Sequence, residues 1–216
     1  MRLFIDSADR EVLEPLLATG LFAGVTTNPT LLARAGVKLK ELPELVGWAR
    51  ATGAETVFVQ AWGVSVEDYL ACAARLVDTC GDVVVKVPAT PAGVTAVRSL
   101  ETGGVRTLLT AVYNHVQVVP AIIAGATYLA PYLGRMNEAG LHGVGEIAQM
   151  QTIIDKTHAA TRILVASIRT PEQLATLATC GVADFTISPQ LWREILSEPL
   201  TDAAVGVFDA TARELV

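Results

Sequence analysis

Positive charge is scarce in this 216-residue chain, in which 16 lysine and arginine residues face 22 acidic residues and leave a formal net charge of -6. Nucleic acids and anionic membranes are bound through cationic surfaces, so this balance argues against both as partners. Long apolar runs are missing as well. The longest, at 118–130, is broken by Pro120 and Gly125 and falls well short of the roughly 20 residues that a spanning helix needs.

Cysteine is also sparse, and Cys72, Cys80 and Cys180 do not form the closely spaced pairs of zinc or redox motifs. We therefore expect reduced, mostly buried thiols in a protein of the cytoplasm. The N-terminal apolar run ends at Asp6, which predicts no signal peptide. A G-x-G-x-x-G turn is absent, which argues against a dinucleotide-binding fold.

What the chain does contain is a repeated pattern of a short β-branched run, a turn and a helical segment. The spacing of roughly 20 to 35 residues is typical of a strand followed by a crossover helix. The candidate strands cover residues 2–6, 24–28, 56–62, 82–89, 106–113, 127–133, 162–167 and 183–188.

Helix starts support this pattern, because Thr90, Thr170 and Ser188 each stand as a capping residue directly before a proline. Thr170 with Gln173 also resembles a capping box. We predict an α/β fold with one domain over residues 1–216, a (β/α)8 TIM barrel with an additional C-terminal helix at about 201–215. An open, doubly wound sheet is the alternative.

One charge interrupts the fourth candidate strand, where Lys86 follows a run of valines. Alternation places Lys86 on one face with Val84 and leaves an all-valine face for the helices, so we expect Lys86 to point into the barrel. Burial lowers the pKa of an ammonium, and a neutral amine is the nucleophile that Schiff-base chemistry requires. The alternative is a structural ion pair between Lys86 and Asp6.

Polar residues occupy the corresponding inward positions of the other strands. A barrel built only for stability would hold valine, isoleucine and leucine there, whereas barrel enzymes carry their reactive groups at these strand ends. The pattern therefore predicts a catalytic site around Lys86. Its expected members are Asp6, Thr26, Asn28, Gln60, Thr110, Tyr132 and Ser167.

An anion site is expected beside this set. Arg135 follows the sixth strand, and Ser167 and Arg169 follow the seventh, just before the helix cap at Thr170. Two guanidinium groups, a hydroxyl and a helix start suit a phosphate group. The alternative is a pair of solvated surface arginines.

The chain resembles the transaldolase family, and within it the small fructose-6-phosphate aldolases. The resemblance extends over nearly the whole chain, and the segment 24–29 together with the strand lysine is its most specific part. The motifs are Phe4-Ile-Asp6, Gly24-Val-Thr-Thr-Asn-Pro29, Val84-Val-Lys86-Val-Pro88, Thr110-Ala-Val-Tyr113, Ala130-Pro-Tyr-Leu-Gly-Arg135 and Ala166-Ser-Ile-Arg-Thr-Pro171.

This resemblance implies a class I mechanism without metal or organic cofactor, in which Lys86 forms the Schiff base and Asp6 is the acid/base group. It implies that Asn28 holds donor hydroxyls. The implied water-positioning residues are Gln60, Thr110 and Tyr132, and the implied phosphate ligands are Arg135, Ser167 and Arg169. Thr26 and Ala130 complete the expected substrate-binding set.

Three positions separate the branches of this family. Transaldolases typically carry Glu at the position of Gln60, Phe at that of Tyr132 and Ser at that of Ala130, so this chain resembles the aldolases at all three. Other positions depart from the aldolase pattern. Gly134 is closer to the small transaldolases, and the bulky Trp62 is expected to narrow the mouth. His115 is expected at a helix start.

These features predict an aldehyde-lyase of carbohydrate metabolism that reversibly cleaves D-fructose 6-phosphate to dihydroxyacetone and D-glyceraldehyde 3-phosphate, or catalyses a related dihydroxyacetone-dependent reaction. A transaldolase is the alternative, and a non-catalytic sugar-phosphate-binding barrel is the alternative from another class. The partners are then small sugars, sugar phosphates and aldehydes. The resemblance implies a homo-oligomer, a pentamer or decamer, and the extra helix has an apolar side at Ala204, Val207 and Phe208.

Overall fold

A computed structural model describes all residues, 1–216, and contains eight strands that form one closed, parallel barrel. Each strand pairs with the next, and β1 closes the barrel against β8. The predicted (β/α)8 barrel is confirmed, and the open sheet is wrong. The strands are β1 Arg2–Asp6, β2 Gly24–Thr26, β3 Thr56–Gln60, β4 Val84–Pro88, β5 Thr107–Val112, β6 Tyr128–Pro131, β7 Arg162–Val165 and β8 Asp184–Ile187.

Helices fill the connections between the strands, together with two short 3-10 turns at Leu39–Glu41 and His115–Gln117. None of the helices is both long and apolar enough to cross a membrane. The helices are α1 Arg10–Leu17, α2 Pro29–Arg34, α3 Leu42–Ala51, α4 Val66–Cys80, α5 Pro91–Thr102, α6 Val118–Ala124, α7 Leu133–Glu138, α8 Gly143–Thr157, α9 Pro171–Thr179, α10 Pro189–Leu196 and α11 Pro199–Glu214.

The predicted helix caps are present in the structure. The side chains of Thr90, Thr170 and Ser188 each accept a hydrogen bond from a backbone N–H of the first turn of α5, α9 and α10. The capping box at Thr170 is incomplete, because Oε1 of Gln173 accepts from the backbone N–H of Arg169 at 2.9 Å rather than from Thr170. Gln173 therefore fixes the backbone of Arg169, which is a predicted site residue.

Two apolar layers flank the barrel wall. The outer layer lies between strands and helices and includes Val83, Val85 and Val87, while Val84 belongs to a smaller cluster inside the barrel. The predicted orientation of the fourth strand is thus confirmed. The inner cluster consists of Phe4, Phe58, Val84, Leu108, Tyr128, Ala130 and Leu164.

The amino-terminal end of the barrel is closed by a charged network around Asp184, whose side chain is fully buried. Arg2 and Arg162 each donate two hydrogen bonds to its carboxylate, at 2.7 to 3.1 Å. Burial acts to raise the pKa of Asp184, but the hydrogen bonds from the two guanidinium groups hold it below its ordinary value. This network stabilises the face opposite the predicted site.

The predicted C-terminal helix is α11, and none of its residues is buried. Val207 and Phe208 are more than 60% exposed, so its apolar side has no partner within the chain. Trp192 of α10, in contrast, packs edge-on against Phe22 with ring centroids 5.0 Å apart.

Candidate active site

The carboxyl-terminal ends of the strands surround a cavity of about 530 Å³, a volume within the usual range for small-molecule sites. All of the side chains that were expected at the site line this one cavity. They are Lys86, Asp6, Tyr132, Gln60, Thr110, Asn28, Thr26, Ala130, Ser167, Arg135 and Arg169.

Lys86 lies deep in the cavity and is only 5% exposed. Its Nζ donates a hydrogen bond to the carbonyl oxygen of Thr27 at 2.7 Å. Burial lowers the pKa of Lys86, and the negative charge of Asp6 opposes this effect. A larger fraction of the amine is therefore neutral near pH 7 than for a solvated lysine, which favours attack on a carbonyl.

Asp6 forms a hydrogen-bonded chain with two threonines rather than an ion pair with the lysine. The hydroxyl of Thr26 donates to Oδ1 of Asp6 at 2.6 Å and lies 2.6 Å from the hydroxyl of Thr186. Since the single proton of Thr26 points to Asp6, Thr186 is the donor in the second contact. Lys86 appears in none of the ion pairs of the structure, so the structural ion pair with Asp6 is wrong.

Tyr132 places a phenol on the same cavity. Its hydroxyl lies 2.8 Å from the hydroxyl of Thr110, and the ring of Tyr113 packs edge-on against it. Burial raises the pKa of Tyr132, although the hydrogen bond with Thr110 acts in the opposite direction. The phenol therefore keeps its proton over a wider pH range than a solvated tyrosine and remains a proton donor.

Several site residues reach the cavity from beyond the strands. Asn28 follows β2 and caps α2, where its Oδ1 accepts from the backbone N–H of Leu31 at 3.0 Å. This contact orients the side chain and leaves its amide N–H groups for a ligand. Tyr132 likewise follows β6 and Ser167 follows β7, so the strands are shorter than predicted at this end.

Two residues of the cavity wall have left-handed backbone conformations although they are not glycine. Ala111 has a φ of 59° and lies within β5, and Ser167 has a φ of 60° and follows β7. These two strands are the neighbours of β6. Such conformations cost about 1–3 kcal/mol each and persist where the surrounding structure imposes them. At Ala111 the strand bulges, which turns Val112 into the outer core and Tyr113 toward the cavity.

The expected anion site lies on the β6 and β7 side. The guanidinium of Arg135 lies 5.3 Å from the ring centroid of Tyr132, and Nη2 of Arg169 donates to Oε1 of Glu138 at 3.2 Å. Both arginines are exposed at the rim and line the cavity together with Ser167. This arrangement can bind a phosphate group through charge-assisted hydrogen bonds.

Sequence reasoning missed four polar residues of the cavity, Thr186, Tyr113, Thr30 and Arg34. Thr30 and Arg34 both belong to α2. Alternation along β8 would have placed Thr186 on the inner face of the barrel. Tyr113 depends on the bulge and Arg34 on the placement of α2, and neither is visible in strand alternation. Arg34 forms no ion pair. It lines the cavity on the side of β2, which is opposite β6 in an eight-stranded barrel.

Two residues that depart from the aldolase sequence pattern, Trp62 and His115, lie away from the cavity. Trp62 follows the end of β3 and is not among the lining residues, so the expectation that it narrows the mouth is wrong. His115 begins a 3-10 turn, as expected at a helix start, and its Nδ1 lies 2.8 Å from Oε2 of Glu146 on α8. Neither side chain lines the cavity.

Comparison with known proteins places this geometry in a family. A family model described as Transaldolase/Fructose-6-phosphate aldolase matches residues 3–215. A "Probable transaldolase" of Maridesulfovibrio salexigens is 37% identical over 100% of this chain and 99% of its own length. A "Probable transaldolase" of Phenylobacterium zucineum is 35% identical over 96% of this chain and 94% of its own.

The chain belongs to the transaldolase/fructose-6-phosphate aldolase family. Solved structures of a mandelate oxidase variant are similar in fold alone, with TM-scores of 0.59 and 0.60 at 14% identity. The alignments cover 87% and 85% of this chain and 65% and 60% of the oxidase chains. The cavity of this family member combines a buried amine, one carboxylate, two phenols and a cationic rim.

No group of three histidine, cysteine or acidic side chains is arranged to hold a metal ion. Three reactive groups line the cavity, Nζ of Lys86, the carboxylate of Asp6 and the hydroxyl of Tyr132. Their types suit covalent capture of a carbonyl, proton transfer at a hydroxyl and proton donation to a carbanion equivalent.

Proposed function

We propose that this protein is a class I aldolase that reversibly cleaves D-fructose 6-phosphate into dihydroxyacetone and D-glyceraldehyde 3-phosphate. The observation that carries the proposal is Lys86, a buried amine without an ion-pair partner in a cavity whose rim is cationic. Burial lowers the pKa of this amine, which favours Schiff-base formation with a sugar ketone.

The reaction begins when the neutral amine of Lys86 attacks the C2 carbonyl and forms a carbinolamine. Loss of water gives the iminium, and water positioned by Gln60, Thr110 and Tyr132 relays the protons. The carboxylate of Asp6 then takes the proton of the C4 hydroxyl. The C3–C4 bond breaks, its electrons enter the iminium to give the enamine, and the phosphorylated aldehyde leaves.

Release of dihydroxyacetone requires that the enamine is protonated at C3 and that water hydrolyses the resulting iminium. The phenol of Tyr132 supports this step, because burial raises its pKa and it stays protonated. We assign the donor hydroxyls to Asn28 and Thr26, and the small side chain of Ala130 leaves room beside them. The phosphate of the substrate is assigned to Arg135, Ser167 and Arg169.

A transaldolase is the second candidate, and the names of the relatives favour it. In that reaction the enamine on Lys86 waits for an aldose such as erythrose 4-phosphate, and the same three-carbon unit is transferred. The two candidates differ only in what meets the enamine. Gln60 and Tyr132 favour protonation and release.

Borohydride trapping tests the shared chemistry. Reduction in the presence of fructose 6-phosphate should attach a dihydroxyacetone-derived mass to Lys86 in the wild type and not in Lys86→Met. Full activity with an unmodified Lys86 would refute the proposal, and saturable binding without trapping would support a non-catalytic sugar-phosphate-binding barrel. Comparing free dihydroxyacetone with transfer to erythrose 4-phosphate then separates aldolase from transaldolase.

The assembly of the protein is also a proposal. The unpartnered apolar side of α11 suits contact with another copy of the chain, and we propose a homo-oligomer, as the family resemblance implies. Light scattering of the full chain measures this, and a monomer at micromolar concentration would contradict it. A location in the cytoplasm stays a prediction.

A further inference from the structure

Gly134, in the first turn of α7, lies against the segment that carries Ser167 and Arg169. The backbone N–H groups of Leu133 and Gly134 donate to the carbonyl oxygens of Ala166 and Ser167 at 3.0 and 2.7 Å. These first-turn donors have no partner within their own helix, so the loop after β7 serves as their cap. The start of α7 and the loop are therefore locked together.

The side chain of Arg169 crosses this junction at close range. A Cβ atom added at Gly134 would lie 2.7 Å from Nε and 3.0 Å from Cγ of Arg169, and 2.5 Å from the carbonyl oxygen of Ser167. Contacts this short force a neighbour to move. The outer end of the same side chain meets Glu138, which lies four residues further along α7 on the same face.

Arg169 thus lies along α7 from Gly134 to Glu138. Its backbone is fixed separately, because its N–H donates to Oε1 of Gln173 at 2.9 Å. With the backbone held, the direction of the guanidinium depends on the space beside α7. We propose that Gly134 is a positioning residue, whose missing side chain lets Arg169 lie along α7 and bind the phosphate of the substrate together with Arg135.

This inference rests on the proposed reaction, and it predicts a selective defect in Gly134→Ala. The variant should lose affinity for D-glyceraldehyde 3-phosphate in aldol addition with dihydroxyacetone, while D-glyceraldehyde without phosphate is unaffected. A lost hydrogen bond to a charged group corresponds to a KM increase of roughly tenfold or more. The kcat with either aldehyde should stay within about twofold, because no group that touches the reacting atoms has changed.

Gly47→Ala is the matched control, because Gly47 also lies in a helix and has open space where the new Cβ would be. It should change neither KM. A second test places Gly134→Ala in an Arg169→Ala background. If Gly134 acts through Arg169, the added Cβ causes no further increase in the KM for the phosphorylated aldehyde, so the two effects are strongly non-additive.

Each outcome decides one question. A wild type that is inactive and shows no trapping at Lys86 refutes the proposed function. An active wild type with equal KM changes for both aldehydes in Gly134→Ala, or with none, refutes the role of Gly134. If Gly134→Ala does not fold but the double variant does, the contact with Arg169 is responsible and the inference holds. If neither folds, the contact with the carbonyl of Ser167 dominates and the inference is wrong.

Discussion

Replacement of Lys86 by methionine should change how the stability of the protein depends on pH. In the folded state burial lowers the pKa of Lys86 below its ordinary value of 10.5. In the unfolded chain the side chain is solvated and keeps the ordinary value. Between these two values the unfolded state binds one proton more than the folded state, so a rise in pH stabilises the fold of the wild type.

The size of this effect follows from proton linkage. One proton of difference corresponds to a slope of about 1.4 kcal/mol per pH unit in the free energy of unfolding. Below the lowered pKa both states are protonated and the destabilisation is full and constant. Above pH 10.5 both are neutral and it vanishes. Lys86→Met lacks this contribution, because methionine does not titrate.

Urea unfolding of both proteins at several pH values from 6 to 10.5 measures the difference directly. The free energy of unfolding of the wild type should rise relative to that of Lys86→Met as the pH increases through this window. The methionine also leaves the carbonyl of Thr27 without its donor, which offsets the two curves by a constant amount. Curves that stay parallel over the whole range would show that Lys86 has an ordinary pKa and would refute the reasoning.

Three further variants test other parts of the structure. Asp184→Asn should destabilise the protein by about 1–3 kcal/mol in thermal or urea unfolding, because two guanidinium groups that are 34% and 46% exposed lose their anion but remain partly solvated, and an unchanged midpoint would contradict this. Thr186→Val should lower kcat several-fold while the KM for fructose 6-phosphate hardly changes, since it removes the donor that orients Thr26 toward Asp6. An unchanged kcat would argue against a catalytic effect of this hydrogen-bonded chain of side chains. Arg34→Gln should lower kcat/KM for fructose 6-phosphate by about two- to fivefold at low salt and little at high salt, and a loss that is equal at both would exclude long-range attraction.

Strand alternation predicted much of the site because it depends only on the period of the strand. Lys86 could be placed inside the barrel since Val84 shares its face, and Asp6, Gln60 and Thr110 follow in the same way. The lining positions and the fold were therefore accessible from the sequence. The roles of these residues stay predictions.

Alternation fails where the backbone leaves the strand. Asn28 reaches the cavity as a helix cap and not as a strand residue, so its correct placement rested on an incorrect boundary. At Ala111 a left-handed residue shifts the register, and Tyr113 lines the cavity where strict alternation gives the position to Val112. These features depend on packing between neighbouring strands, which a single sequence does not reveal.

Among the lysine, arginine, aspartate and glutamate residues only Lys86 and Asp184 are buried, and their surroundings are opposite. Asp184 at the amino-terminal end accepts four hydrogen bonds from two arginines, which compensate for the loss of water and keep it ionised. Lys86 at the carboxyl-terminal end has a single carbonyl acceptor and no ion pair. Since an ammonium in such surroundings gains stability by losing its proton, burial without a partner favours the neutral, nucleophilic amine. A carboxylate placed in contact with Lys86 would stabilise the fold and at the same time suppress the reactivity that we propose.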